Sequence, residues 1–292
     1  MPEKRATIKE ALSLAAMELS KADVPDPLAE AEYLLTHILG CKRHGLFLNP
    51  SRLLTDSEAA AFTAYMERRK KREPAQYITG EVEFRGHTFM VTRATLIPRP
   101  ETELLVDEAL AAAKPQGGET VVVDLCTGSG CIAVSVAKEL AGSRVYAADV
   151  STDAIKAARG NASLNGVAEK VGFFIGDLFK ALPEDLKGKV DIILSNPPYV
   201  ARSEMQGLAP EVKDYEPETA LCGGAEGLDF IERIIDGAPE YLKKGAYLIM
   251  EIGFGQSEKV KELASKDGRY EKIEVRKDYS GIDRVFIARV RG

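Results

Sequence analysis

The run Val121-Val122-Val123-Asp124-Leu125-Cys126-Thr127-Gly128-Ser129-Gly130 narrows the possible folds more than any other stretch of this chain. Its nearly continuous apolar residues suit a strand buried on both faces, the situation of a central strand in a parallel sheet. The glycines behind it allow a tight turn, and Cys131–Leu140 then follows a helical pattern. Asp149 closes the next candidate strand nineteen residues after Gly130. Strand, glycine loop, helix and second strand together make one crossover unit of an open α/β sheet.

The same alternation continues downstream. Candidate strands are Val121–Leu125, Arg144–Asp149, Val171–Gly176, Val190–Ser195, Gly245–Ile252, Tyr270–Arg276 and Arg284–Val290, with a second clear helix over Thr152–Leu164. Only the turn Asp278-Tyr279-Ser280-Gly281 separates the last two. The pattern predicts an α/β fold entered after Pro115-Gln116-Gly117-Gly118: a doubly wound, mostly parallel seven-stranded sheet with a terminal antiparallel hairpin.

Ahead of it, residues 1–75 read as a small helical bundle, with apolar positions recurring at three and four. One helix has Asp26 as N-cap, Pro27 at its first position, the stripe Leu28, Ala31, Leu35, Ile38, and Gly40 as its stop. Another opens on the capping box Thr55-Asp56-Ser57-Glu58 and is expected to run to Arg72, before Glu73-Pro74. Its basic run Arg68-Arg69-Lys70-Lys71-Arg72 is either a solvated last turn or a contact for an acidic partner or RNA. Residues 76–95 form a linker in which Phe84–Val91 alternates around Gly86 as a hairpin, leaving residues 96–292 as the large domain. His87 in that hairpin reads as a turn residue rather than a base.

Composition restricts the function. Cys41, Cys126, Cys131 and Cys222 form no CxxC pair, which fits reduced thiols and a cytoplasmic setting. No stretch approaches the roughly 18 apolar residues of a membrane span, residues 1–10 lack the apolar core of a secretory signal, and no metal site is expected. The net charge of −6 is uneven: residues 1–75 hold 12 Lys/Arg against 11 Asp/Glu, leaving 27 against 34 for the remainder. An acidic large domain disfavours broad neutralisation of nucleic-acid phosphates. No self-association pattern stands out, so a monomer is expected.

Gly128-Ser129-Gly130-Cys131-Ile132-Ala133 also satisfies the dinucleotide fingerprint GxGxxA, so the glycines alone do not select a cofactor. Asp124 is the discriminating residue. A carboxylate at the end of the first strand would oppose the pyrophosphate of a nicotinamide cofactor, but it suits S-adenosylmethionine, which carries an ammonium and a sulfonium. It would act through direct contact or by bracing loop amides. Asp149 would then accept the ribose hydroxyls, with Asp177 near the adenine edge.

Strand Val190–Ser195 runs directly into Asn196-Pro197-Pro198-Tyr199 at the carboxyl edge of the sheet. Two prolines fix the backbone and remove two donors. The Asn196 side-chain oxygen and the Pro197 carbonyl can then take the two hydrogens of an incoming NH2 group while Tyr199 stacks on its plane. Such a group attacks poorly because its lone pair is delocalised. Two acceptors that draw its hydrogens out of plane localise the pair, and positioning supplies the rest. The tetrapeptide itself leaves open an adenine or cytosine amino group and a glutamine amide. The acidic large domain and the short segment Val200–Gly224 before the next helix favour a protein acceptor.

Further stretches carry a closer likeness: Pro74-Ala75-Gln76-Tyr77-Ile78-Thr79-Gly80, Phe84 to Val91, Leu96-Ile97-Pro98-Arg99-Pro100-Glu101-Thr102-Glu103, and Glu216-Pro217-Glu218-Thr219-Ala220-Leu221. With the Asp124–Gly130 loop and Asn196–Tyr199, they make the chain resemble the release-factor glutamine methyltransferases, the PrmC/HemK family, over almost its whole length. The resemblance implies a class I S-adenosylmethionine-dependent methyltransferase that methylates the glutamine amide in the Gly-Gly-Gln loop of peptide chain release factors, with an N-terminal substrate-recognition domain. It implies that Cys126–Gly130, Asp149 and Asn196 bind the cofactor and that Asn196, Pro197, Pro198 and Tyr199 receive the glutamine. Cys126 stands where such loops often have glycine. Leu178 stands where some members place an aromatic residue against adenine, with Phe179 as a substitute. Arg99 and Glu101 either brace the linker or wall the active site. A ribosomal-protein glutamine and a nucleic-acid amino group are the remaining acceptors to test.

Overall fold

The computed structural model describes residues 5–113 and 119–292, so Pro115–Gly118 lie outside the described residues. The chain forms two compact units. One holds the residues up to Gly80 together with Ala209–Tyr215, and the other holds Glu81–Leu208 and Glu216–Gly292.

The helical unit contains α1 (Ile8–Lys21), α2 (Pro27–Leu39), α3 (Arg43–Leu48), α4 (Asp56–Arg69) and α5 (Ala75–Thr79). In α1, Ile8, Leu12, Ala15 and Leu19 recur at four, three and four, so one stripe faces the core. Leu34 and Leu35 of α2, Leu46 of α3, Phe62 and Met66 of α4 and Ile78 of α5 complete it. Thr7 with Glu10 and Thr55 with Glu58 close reciprocal capping boxes. Asp26 stands at the N-cap position, but its φ of +46° turns the side chain away from the helix amides and it caps nothing. Pro27 at the first position and Gly40 in the left-handed region match the sequence pattern.

The basic run departs from its reading. Helix α4 stops at Arg69, and Arg72, with φ +66°, turns the chain before Glu73-Pro74. Lys71 stays exposed, but Arg68 is paired with Glu73 at 2.9 Å and Lys70 with Glu67 and Glu18. Arg69, with its side chain 4% exposed, bonds Glu30 and Glu211, and Arg72 bonds Glu211. The acidic partner is in the same chain.

The second unit begins with strands β1 (Glu81–Phe84) and β2 (His87–Met90). Arg85 and Gly86 both have positive φ, the geometry of a two-residue hairpin turn. Phe84 and Phe89 meet edge to face, and both are buried in the core of this unit.

Seven strands make the large sheet: β3 (Thr120–Leu125), β4 (Ser143–Asp149), β5 (Val171–Ile175), β6 (Val190–Ser195), β7 (Leu242–Glu251), β8 (Tyr270–Lys277) and β9 (Asp283–Val290). Their order is β5-β4-β3-β6-β7-β9-β8. β3 to β7 are parallel, β9 runs antiparallel to β7, and β8 pairs antiparallel with β9. The continuous apolar run of β3 is explained by burial on both sides, since Val122 packs into one face and Val123 into the other. Helices α6 (Glu103–Ala112), α7 (Cys131–Glu139) and α8 (Thr152–Leu164) supply the first face, and α10 (Asp229–Tyr241) and α11 (Ser257–Asp267) supply the second. The short α9 (Pro210–Lys213) belongs to the helical unit. No described helix is long and apolar enough to cross a membrane.

Candidate active site

Register positions the site. Leu125 at the end of β3 pairs with Ser195 at the end of β6, and the sheet order reverses between these strands. Open α/β sheets form their ligand crevices at such a switch point. The loop Cys126–Gly130 and the tetrapeptide Asn196–Tyr199 therefore leave the sheet side by side. The Ser195 hydroxyl donates to the Leu125 carbonyl at 2.8 Å and ties the two strand ends together. On the other side of β3, β4 brings Asp149 to the same edge.

A cavity of about 530 Å³ opens there. Cys126, Thr127, Gly128, Ser129, Asp149, Asp177, Leu178, Asn196 and Pro198 line it, whereas Asp124, Gly130, Pro197 and Tyr199 do not. Asp149 organises the loop: Oδ2 accepts the Gly128 amide and Oδ1 the Ser151 amide, both at 2.9 Å. Burial raises its pKa, and the amides of Ser151, Gly128 and Val150 oppose that rise. The carboxylate keeps a lone pair for a further donor. Cys126 takes φ +59°, which accounts for the glycine preference of its position. Gly130, outside the cavity, is required by packing, because a Cβ there would lie 2.9 Å from that of Ala158.

Asp124 needs a correction. It is wholly buried beneath the loop, where Oδ2 accepts the Thr127 hydroxyl at 2.6 Å. Burial pushes it up to about 7, against the Thr127 hydroxyl and the Ala133 amide. It braces the loop and does not confront a ligand, so the case against a pyrophosphate must come from the wall itself. Asp149, Asp177, Glu218 and Asp229 line that wall. Three arginines share the wall: Arg99 is bonded to Glu216 at 2.5 Å, Arg233 to Asp177 at 2.6 Å, and Arg202 is outnumbered by Asp149, Glu218 and Asp229. A cationic ligand suits this lining better than a dinucleotide.

At the Asp177 end, Leu178 is buried with φ +51° and faces the cavity. Phe179 is turned away, stacked on Tyr241 with centroids 5.0 Å apart, and does not line the cavity. The aromatic residue on the wall is Phe230, with the Arg233 guanidinium 5.8 Å from its ring centroid. Nothing near Leu178 in the sequence signals it, because α10 brings it in from far downstream.

Around the tetrapeptide, no described residue donates a backbone hydrogen bond to the Pro197 carbonyl. Asn196 Nδ2 donates to Thr102 Oγ1 at 3.2 Å, and Thr102 Oγ1 donates to Glu251 Oε2 at 2.7 Å. The Tyr199 hydroxyl donates to Glu251 Oε1 at 3.0 Å, which holds its ring away from the cavity wall. Burial raises the Glu251 pKa, and the Thr102 and Tyr199 hydroxyls and Arg284 pull it back. Glu251 has no role in the sequence reading, although an acid closing a buried parallel strand, as Asp149 does, was a signal available there. The stretch Leu96–Glu103 contributes Leu96, Pro98, Arg99 and Thr102 to the cavity but not Glu101. His87 sits away from it, 3.9 Å from Glu139.

Residues 10–80 match the family model of the PrmC N-terminal domain, and residues 100–211 match that of the methyltransferase small domain. The release factor glutamine methyltransferase of Geobacter sulfurreducens is 41% identical over 97% of this chain and 97% of its own length. That of Koribacter versatilis is also 41% identical, over 97% and 98%. Among solved structures, a methyltransferase from Pyrococcus furiosus aligns with a TM-score of 0.52 at 18% identity, covering 82% of this chain and 100% of the other, which concerns the fold alone.

Proposed function

This chain belongs to the release factor glutamine methyltransferase family, and we propose that it methylates the side-chain amide nitrogen of the glutamine in the Gly-Gly-Gln motif of peptide chain release factors. The observation that carries this reading is the pairing of Leu125 with Ser195, which sets a glycine loop anchored on Asp149 beside Asn196-Pro197-Pro198-Tyr199. S-adenosylmethionine would supply an electrophilic methyl group on its sulfonium.

The lining fits that donor. Carboxylates of Asp149 and Asp177 suit its hydroxyls and its positive charge, Gly128 and Ser129 offer backbone at close range, and Leu178 and Phe230 offer apolar surface for a base. Asn196 Oδ1 and the Pro197 carbonyl accept the two amide hydrogens. The nitrogen lone pair forms the new bond to carbon as the carbon–sulfur bond breaks, and the cationic nitrogen then loses a proton to water. No strong base is needed at the wall. The helical unit takes the role of recognising the release factor, and a cytoplasmic site of action goes with that substrate.

Incubating the chain with tritiated S-adenosylmethionine and a purified release factor should label the factor, and changing the glutamine of its Gly-Gly-Gln motif should abolish labelling. Equal labelling of the changed factor would overturn the reading, as would label found only on a ribosomal protein or on nuclease-sensitive material.

A further inference from the structure

A neutral side-chain amide can present either its oxygen or its NH2 to a neighbour, and the difference matters at Asn196. Only the oxygen accepts a hydrogen from an incoming amide; the NH2 would repel it. What sets the choice is the partner on the other side, Thr102 Oγ1, 3.2 Å from Asn196 Nδ2.

A threonine hydroxyl has one proton to give. Here that proton goes to Glu251 Oε2 at 2.7 Å, so the Thr102 oxygen can only accept from Asn196. A carboxylate accepts on both oxygens, and Glu251 Oε1 takes the Tyr199 hydroxyl at 3.0 Å. One carboxylate, 2% exposed, thus fixes both ends of the tetrapeptide: Tyr199 directly and Asn196 through Thr102. Glu251, closing β7, touches no part of the cavity, whereas Asn196 and Thr102 both line it.

We propose that Glu251 and Thr102 form a polarity relay that holds Asn196 with Oδ1 toward the acceptor nitrogen, making Glu251 a positioning residue for methyl transfer. The relay rests on the function proposed above, since it matters only if Asn196 meets an NH2 group. Donors and acceptors alternate without a gap: phenol to carboxylate, hydroxyl to carboxylate, amide NH2 to hydroxyl oxygen. Reversing either of the two bonds that meet at Thr102 releases Asn196 to turn its NH2 toward the substrate.

The test compares Thr102→Val, nearly isosteric but without the hydroxyl, with Thr102→Ser, which keeps it, and with Glu251→Gln. Each full-length protein is assayed for kcat and KM with release factor, for S-adenosylmethionine affinity by calorimetry and for its melting temperature. Thr102→Val should lose roughly 10- to 100-fold in kcat with cofactor affinity and KM little changed, Thr102→Ser should recover most of that loss, and Glu251→Gln should fall in kcat like the valine variant. Full turnover by Thr102→Val, or equal losses in the valine and serine variants, would overturn the relay even if Glu251→Gln failed to fold. If the wild-type chain labels no release factor, it is the proposed function that fails and the relay falls with it; if Asn196→Ala turns over release factor normally, the function stands and the relay alone fails.

Discussion

Asn196 lines the cavity with its amide NH2 held by Thr102, an arrangement suited to a group that must accept hydrogens from a substrate. Replacing Asn196 with Ala should lower turnover by about 100-fold or more, while calorimetry still detects S-adenosylmethionine binding, because Asp149 and the glycine loop are untouched. Asp124 makes a different prediction. Its ordinary pKa is 3.8 and burial in the folded state pushes it up to about 7. Below pH 4 both states hold the proton and the burial carries no ionisation penalty. Between about 4 and 7 the unfolded chain has lost the proton that the folded chain keeps, so stability falls as pH rises through that window. Above 7 the full penalty, on the order of 4 kcal/mol, remains. Asp124→Asn keeps an acceptor for the Thr127 hydroxyl and does not titrate. Its melting temperature should therefore exceed that of the wild type clearly at pH 8 and by little or nothing at pH 4. A gain independent of pH would show that Asp124 is not the titrating group.

Elements reach the site by pressing backbone on backbone. The turn after Leu221 packs so closely on the tetrapeptide that a Cβ on Gly223 would lie 2.5 Å from the Pro198 carbonyl oxygen, and one on Gly227 2.2 Å from that of Tyr199. Gly227 also has φ +75°, so a side chain there is strained as well as crowded. Gly227→Ala should lower stability by about 1–3 kcal/mol and reduce methyl transfer beyond what that loss explains, as thermal melts and initial rates would reveal. Unchanged kinetics would mean the tetrapeptide tolerates the shift. Strands β3 to β6 could be read to within a residue or so because each is an apolar run with an acid or a small polar residue near its end. Strand β7 begins three residues before its predicted start, since Leu242-Lys243-Lys244 looks like a helix end and joins the sheet only through pairing with β6.

Across the whole molecule, order in the chain and order in space part company at Ala209–Tyr215, which follows the tetrapeptide in sequence but packs within the helical unit. Glu211 is the anchor: Arg72 grips it at 2.6 and 2.7 Å and Arg69 at 2.9 Å, while the Tyr215 hydroxyl donates to the Lys71 carbonyl. Burial pushes the Glu211 pKa up, but the two guanidiniums outweigh it and hold the group below the usual carboxylate range. Removing it leaves Arg69, whose side chain is almost fully buried, with Glu30 as its carboxylate partner, so Glu211→Ala should cost about 1–3 kcal/mol. Hydrogen exchange should then quicken in the amides of 211–215. Exchange unchanged there would show that the clamp does not hold the segment.

Local chemistry was enough to read the glycine loop, the Asp149 that follows it, the tetrapeptide and the alternation of strands and helices. Each is a short-range pattern: residues a few positions apart whose conformational needs or side-chain spacing do not depend on what lies across the fold. What depended on tertiary structure was every assignment that turns on who the partner is. Arg68–Arg72 reads as a solvated turn or a contact for an acidic partner or RNA until Glu30, Glu73 and Glu211 arrive to pair its arginines. Asp124 reads as a ligand contact or a brace for the loop until burial selects the brace, and Tyr199 reads as a stacking ring until the fold sets its hydroxyl on Glu251 and its ring off the cavity wall. Hydrogen-bond direction and ionisation are properties of pairs, and here the members of most deciding pairs lie far apart in the chain, as Thr102 and Glu251 do. Their meeting is written in the sheet order, not in the spacing of residues.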